Sequence, residues 1–274
     1  MSALEAILLG LVQGLTEFLP ISSSAHLRIV PGLTGRADPG AAFTAVVQLG
    51  TMVAELAYFR HDLTRIGRAW IGALRRPALR GTLDARLGWY LILGTIPISV
   101  AGLLFEDRIE EDARDLTLIG TTLIALGIVL LLADRRGRHD RAISQLTLRD
   151  AVIMGGAQTL ALVPGVSRSG ATLSAGLFLG LDRAAAARFS FLLSIPAVVL
   201  SGVFQLYGIA SGEESSRAGA LPLAAATVVA GASGYAAIHF VLRWLQSHTV
   251  LIFVVYRVAL GSLVLGLVAA GAIE

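Results

Sequence analysis

Residues 13–26 read Gln13-Gly14-Leu15-Thr16-Glu17-Phe18-Leu19-Pro20-Ile21-Ser22-Ser23-Ser24-Ala25-His26. Residues 158–172 read Gln158-Thr159-Leu160-Ala161-Leu162-Val163-Pro164-Gly165-Val166-Ser167-Arg168-Ser169-Gly170-Ala171-Thr172. In both, an apolar run breaks at a proline and resumes behind a cluster of serines. The flanking stretches, roughly 3–19 with 22–33 and 151–163 with 171–181, are apolar but too short or too polar to cross a hydrocarbon layer of about 30 Å. Half-length helices joined at a proline read as re-entrant hairpins, tolerated at membrane depth only inside protein.

The rest of the chain supplies the protein around them. Of 274 residues, 55 % are hydrophobic and 15 % charged, and the mean hydropathy is +0.75. A soluble domain carries about 25 % charge, so this chain reads as an integral membrane protein. Six stretches suit full spans: roughly 41–59, 85–105, 116–133, 187–210, 220–242 and 249–272. Pro97 and Pro196 fall inside two of them, where a kink is tolerable. Residues 1–19 lack the basic start of a signal peptide and hold Glu5, Gln13 and Glu17. The chain has no cysteine and no lysine, which excludes disulfides, thiolate chemistry, a phosphate-loop lysine and a Schiff base. The sequence pI of 9.8 comes from arginines in loops rather than from a nucleic-acid surface, and no nucleic-acid partner is expected.

Those arginines orient the chain. Loop 60–86 holds seven, loop 134–149 five, loop 182–188 two and loop 243–248 one. The alternate connections 34–40, 106–115 and 211–219 hold four in all (Arg36, Arg108, Arg114, Arg217), and 106–115 is strongly acidic. The positive-inside rule puts the arginine-rich loops in the cytoplasm and both termini outside. The first hairpin then enters from outside and the second from the cytoplasm. Each half of the chain, about 1–145 and 146–274, is one hairpin followed by three spans, in opposite orientations. This predicts an all-α membrane fold, a single polytopic domain of six transmembrane helices and two re-entrant hairpins in an inverted-topology repeat. At a constant offset of 145, Gln13 meets Gln158, Leu15 meets Leu160, Ile21 meets Val166, Ser22 meets Ser167 and Ser24 meets Ser169.

In such a repeat the two tips meet near the midplane, and the second helix of each hairpin presents free N–H groups and a positive dipole end there. Two converging N-termini make an anion site. Ser22, Ser23, Ser24 and His26 lie at the first tip, Ser167, Arg168, Ser169 and Thr172 at the second. An arginine at membrane depth is costly and usually functional, and a guanidinium suits phosphate or carboxylate. Gln13 and Glu17, four apart, share a helix face. Glu17 suits a base or a hard divalent cation such as Mg²⁺ or Ca²⁺, a phosphorylated substrate supplying further ligands. Blander readings stand beside these. Serines pack membrane helices, and Glu17 with Arg168 also reads as a buried ion pair bracing the hairpins. Gln48, Gln158 and Gln205 read as packing or polar lining, and Glu55 and Arg257 as structural or pore-lining groups within spans.

The two tips resemble the paired signatures of the bacterial undecaprenyl-diphosphate phosphatase family of the bacitracin-resistance type. The first signature is Glu/Gln and Glu four apart, then Phe-Leu-Pro-Val/Ile-Ser-Ser-Thr/Ser-Gly/Ala-His, matched from Gln13 to His26. The second is Pro-Gly-x-Ser-Arg-Ser-x-x-Thr, matched from Pro164 to Thr172. Position 13 is Gln where many members have Glu, and position 25 is Ala where Gly is usual. With Gln13 neutral, Glu17 carries more of any metal site.

The resemblance implies hydrolysis of undecaprenyl diphosphate to undecaprenyl phosphate and inorganic phosphate, outside the bacterial cytoplasmic membrane, regenerating the lipid carrier of peptidoglycan. The implied site has Glu17, Ser23, His26 and Arg168 as catalytic groups and Gln13, Ser22, Ser24, Ser167, Ser169 and Thr172 around the substrate, with Glu17 on a Mg²⁺ or Ca²⁺. His26 is the first choice for nucleophile or general base, and Ser23, activated by His26 three residues on, the second; water is the third. Self-association into a homodimer is left open. The other membrane phosphatase signature, Ser-Arg followed after five residues by His, is absent: five residues after Arg168 comes Ser174. The competing class is a secondary transporter or lipid flippase, since broken helices in an inverted repeat are also a transporter plan.

Overall fold

The computed structural model describes residues 1–105, 115–211 and 219–273, with only the backbone described at residues 41, 205, 206 and 208–211. The acidic run from Glu106 to Asp112, with Arg108, Arg114 and Arg217, lies outside the described residues, as does the side chain of Gln205. Among the described residues the fold is α-helical with no strand. The helices are α1 (Ala3–Phe18), α2 (Ser23–Leu33), α3 (Ala41–Tyr58), α4 (Arg60–Arg75), α5 (Leu83–Leu104), α6 (Leu116–Arg136), α7 (Leu148–Gln158), α8 (Arg168–Phe178), α9 (Arg183–Ser211), α10 (Ala220–Trp244) and α11 (Leu251–Ala269).

Five of them, α5, α6, α9, α10 and α11, are long and apolar enough to cross a membrane. The protein is therefore a multi-pass membrane protein. The expected span 41–59 is different. It passes the same test only when α3 is counted together with α4, from which it is bent by 67°. The expected loop 60–86 is likewise a helix over most of its length. Leu63, Ile66, Trp70 and Ala73 recur at helical spacing on one side of α4, with Ile66 and Ala73 buried, while the arginines take the other side. Counting charge alone hides that periodicity. Arg183, Arg188 and Arg243, expected in loops, lie within the ends of α9 and α10. Pro97 and Pro196 lie inside α5 and α9.

The short helices α1–α2 and α7–α8 form the two expected pairs. At 1.5 Å per residue, an 11-residue helix such as α2 or α8 is roughly 17 Å long, about half a span. The first helix of each pair packs on a span from the other half of the chain, α1 on α10 and α7 on α5. The approach is close because glycines sit at the crossings. A Cβ on Gly10 would lie 2.3 Å from the carbonyl oxygen of Ala226, and one on Gly155 would lie 2.0 Å from that of Gly94. Gly10 and Gly155 are themselves 145 apart. Between the pairs lies a core containing Phe18, Phe59, Phe189, Phe191, Leu192 and Leu193, all buried. Helix α8 is buried along nearly its whole length.

Candidate active site

The two hinges have the same local structure. Ser22 and Ser167 are the N-caps of α2 and α8, with φ of 72° and 70° and ψ of 101° and 113°. Positive φ is costly for a residue with a Cβ, on the order of 1–3 kcal/mol, so something must hold both turns. Part of the answer is local. The Ser22 hydroxyl accepts from the Ala25 N–H and the Ser167 hydroxyl from the Gly170 N–H. Each N-cap hydroxyl also pairs at 3.1 Å with the serine two residues on, Ser24 or Ser169.

The rest of the answer is Arg257, which is fully buried on α11. All five of its N–H donors are used, and every acceptor is a backbone carbonyl. Nη1 donates to Pro20 (3.1 Å) and Val166 (3.0 Å), Nη2 to Gly165 (3.1 Å) and Thr122 (3.2 Å), and Nε to Leu123 (3.1 Å). The hinge carbonyls follow the C-terminal ends of α1 and of the short turn after α7, where carbonyls lack intrahelical partners and the dipole favours a cation. Only a planar five-donor group reaches both hinges and α6 at once. The Ser169 hydroxyl adds a bond across the tips to the Leu19 carbonyl, at 3.1 Å.

Between the tips the side chains converge on Glu17. One carboxylate oxygen accepts from Arg168 Nη2 at 2.5 Å. The other accepts from the Ser23 hydroxyl at 2.5 Å and from Gln13 Nε2 at 3.0 Å. The Gln13 carbonyl oxygen is buried with no hydrogen-bond partner. Glu17 lies in the last turn of α1 and Arg168 at the first position of α8. Each charge therefore sits at the helix end whose dipole opposes it. A pair kept only as a brace gains nothing from that placement. An anion at the α8 N-terminus would relieve Arg168 and the dipole together.

Thr172 stands behind Arg168, its hydroxyl donating to the Arg168 carbonyl at 2.8 Å and sharing a short hydrogen bond with Ser190. Ser190 and Ser194, on α9, line a narrow cleft with Glu17, Phe18, Arg168, Ser169 and Phe191. The Ser194 hydroxyl donates to buried Glu55 at 2.6 Å. Ser190 and Ser194 were missed in the sequence, although two serines four apart in an apolar span were the available signal.

His26 faces another way. Its Nδ1 is 2.6 Å from the Ser22 carbonyl, which only accepts, so the neutral ring carries its proton there. Nε2 then accepts from the Tyr256 hydroxyl, at 2.7 Å, and the two rings are parallel within 6°. Ser23 hydrogen-bonds Glu17 and not His26. In place of the expected His26–Ser23 hydrogen bond the structure has Glu17–Ser23, because both ring nitrogens of His26 are already taken, by the Ser22 carbonyl and by Tyr256. Tyr256 was also missed; a tyrosine beside Arg257 in an apolar span was its only mark.

A divalent cation would find one carboxylate here, not a cluster; among the described residues no three His, Asp or Glu gather at any point. Glu17 and the orphaned Gln13 oxygen are hard oxygen donors. They suit a Mg²⁺ or Ca²⁺ whose other ligands come from substrate.

The fold and tips define a helical membrane protein with a polar site between two pairs of short helices. The chain belongs to the bacitracin resistance protein BacA family, whose profile matches residues 6–263. It is 58 % identical over 270 residues to a protein of a Nocardioides species named undecaprenyl-diphosphatase, covering 98 % of each chain. Proteins of the same name from Myxococcus xanthus and Prosthecochloris aestuarii are 52 % and 48 % identical, over 99 % and 100 % of this chain and 91 % and 100 % of theirs.

Proposed function

We propose that this protein hydrolyses undecaprenyl diphosphate to undecaprenyl phosphate and inorganic phosphate on the outer side of the bacterial cytoplasmic membrane, returning the lipid carrier to peptidoglycan synthesis. The observation that carries the reading is Glu17. It holds the Ser23 hydroxyl at hydrogen-bond distance and is itself held by Arg168 from the opposite hairpin. The names of the relatives support the same reaction.

In this reading Arg168 leaves Glu17 for the diphosphate and, with the N-terminal N–H groups of α2 and α8, holds the terminal phosphoryl. Ser23 attacks the terminal phosphorus as its proton passes to Glu17. The bond to the bridging oxygen breaks, and undecaprenyl phosphate leaves. Glu17 gives that proton to the departing phosphate and is a carboxylate again; it then takes a proton from water, which attacks the Ser23 phosphate, and the proton returns to the Ser23 oxygen as inorganic phosphate leaves. Ser22, Ser24, Ser167, Ser169 and Thr172 keep the tips in shape around the substrate. A Mg²⁺ or Ca²⁺ held by Glu17 and Gln13 would supply charge neutralisation on the diphosphate. The whole chain acts as one domain, an inverted repeat of re-entrant hairpins. The matched hinge geometry of Ser22 and Ser167 and the exchanged packing of α1 and α7 support this.

The test is phosphate release from undecaprenyl diphosphate by purified protein in detergent, where no gradient exists to drive transport. Release is expected, and removal of divalent cation by EDTA is expected to lower it at least ~10-fold. No release from folded protein with metal supplied would reject the hydrolase and turn the tips into an anion-binding gate.

Tyr256→Phe keeps the ring stack on His26 and removes one hydrogen bond. The expected result is a kcat loss of less than about tenfold, KM unchanged, and an altered His26 ¹⁵N signature. A ¹⁵N spectrum identical to wild type would remove Tyr256 from the positioning of His26.

A further inference from the structure

Helix α4 carries a surface that the site does not use. It leaves α3 at 67°, and its position is fixed rather than loose. The joint Phe59 is fully buried. Asp62 pairs with Arg188 of α9 at 2.7 Å, and Arg65 reaches Asp84 of α5 at 3.3 Å. Trp70 packs on Gly88 and meets Trp89 edge-on at 5.5 Å.

These contacts consume the acids near α4, and Arg60 and Arg80 turn back onto the carbonyls of Ala57 and Ala73. Arg68, Arg75 and Arg76 are exposed, and none has an acidic partner among the described residues. On the same outer side Ile71 is 53 % and Leu74 is 52 % exposed. A water-facing helix has no use for two large apolar side chains between arginines. An acidic soluble partner would match the arginines but not the apolar pair. A bilayer surface offers both phosphates and the first acyl carbons, and α4 is tied to the spans at that boundary.

We infer that the outer face of α4 is a binding surface for anionic phospholipid headgroups. Arg68, Arg75 and Arg76 take the phosphates, and Ile71 and Leu74 enter the layer below them. This surface lies apart from the hairpin tips and does not depend on the reaction proposed for them.

The experiment uses the full chain in neutral detergent, with phosphatidylglycerol or phosphatidylcholine added at equal mole fraction. Bound lipid is counted by native mass spectrometry, and the unfolding midpoint is read alongside. Phosphatidylglycerol is expected to stay bound and to raise the midpoint by at least ~2 °C more than phosphatidylcholine. The triple variant Arg68→Gln/Arg75→Gln/Arg76→Gln is expected to fold and to lose that difference. The triple Arg→Lys variant, which keeps the charge, is expected to retain most of it. Equal effects of the two lipids on wild type would overturn the inference, as would an unchanged preference in the Gln variant. Should the Gln variant fail to fold, Arg75→Gln alone decides: an undiminished preference for phosphatidylglycerol overturns the inference, and a reduced one supports it.

Discussion

Arg168→Ala is expected to lower phosphate release more than about a hundredfold, the usual cost of losing a key charge stabiliser. The substitution also leaves Glu17 as a nearly buried carboxylate without its cation, since the Glu17 side chain is 9 % exposed. Orphaning one member of such a pair costs about 3–5 kcal/mol in stability. Rate and stability would thus fall together, and the single variant cannot assign the cause. The double variant Arg168→Ala/Glu17→Gln separates them, because it removes the orphaned charge as well. If the pair merely braces the hairpins, the double variant recovers both folding and turnover. If the pair acts in the reaction, Arg168 on the phosphoryl group or Glu17 as base, folding recovers and turnover does not. Arg168→Lys adds a finer reading. A compact ammonium keeps the charge but not the two-oxygen fork, and a loss of at least ~10-fold is expected. Wild-type turnover in either Arg168 variant would end the assignment.

Arg257→Met is expected to have the largest effect on stability. It replaces one buried guanidinium by a side chain of comparable length with no donor. Five backbone carbonyls lose this donor: those of Thr122 and Leu123 lie inside α6 and keep their intrahelical bonds, whereas those of Pro20, Gly165 and Val166 are left without a partner. Each unsatisfied buried acceptor costs about 1–3 kcal/mol, so the three hinge carbonyls cost on the order of 3–9 kcal/mol, comparable to a whole folding free energy of about 5–15 kcal/mol. The strained turns at Ser22 and Ser167 lose their common anchor in the same step. The measurement is folded yield and unfolding midpoint in detergent across wild type, Arg257→Lys and Arg257→Met. The expected order is wild type above Lys above Met, because an ammonium has three donors for five acceptors. A Met variant as stable as wild type would show that the hinges hold themselves.

These two residues divide what could be read in the chain from what could not. Arg168 stood out in the sequence because it lies beside a proline break, among serines, in a chain with few charges. Its partner Glu17 stood out on the same grounds. Arg257 gave the opposite impression, a lone cation deep in an apolar span with no acid nearby, and drew only a general structural reading. A five-carbonyl cradle has no sequence mark, since backbone oxygens belong to every residue. The span count shows a related blind spot. Five helices are legible as apolar runs of sufficient length, whereas α4 reads as a loop because its charge count masks a helical period. Ser23 shows another. Its place in the tip was legible, but its choice of Glu17 over His26 depends on how α1 and α2 fold back on each other.

By itself, the sequence determined the all-helical membrane class and the two pairs of short helices, which follow from composition and from patterns within about 20 residues; the family was legible as the resemblance of the two tip signatures. The tertiary structure alone decided that Glu17 and Arg168, 151 positions apart, share a hydrogen bond. It alone decided that Tyr256 covers His26 and that Arg257 ties both hinges to α6. The physical reason is that hydropathy is a local property, sensed wherever a helix meets lipid. Polar pairing inside the bundle is set instead by which helices come within 3 Å of one another, and that depends on every glycine crossing and hinge in the fold.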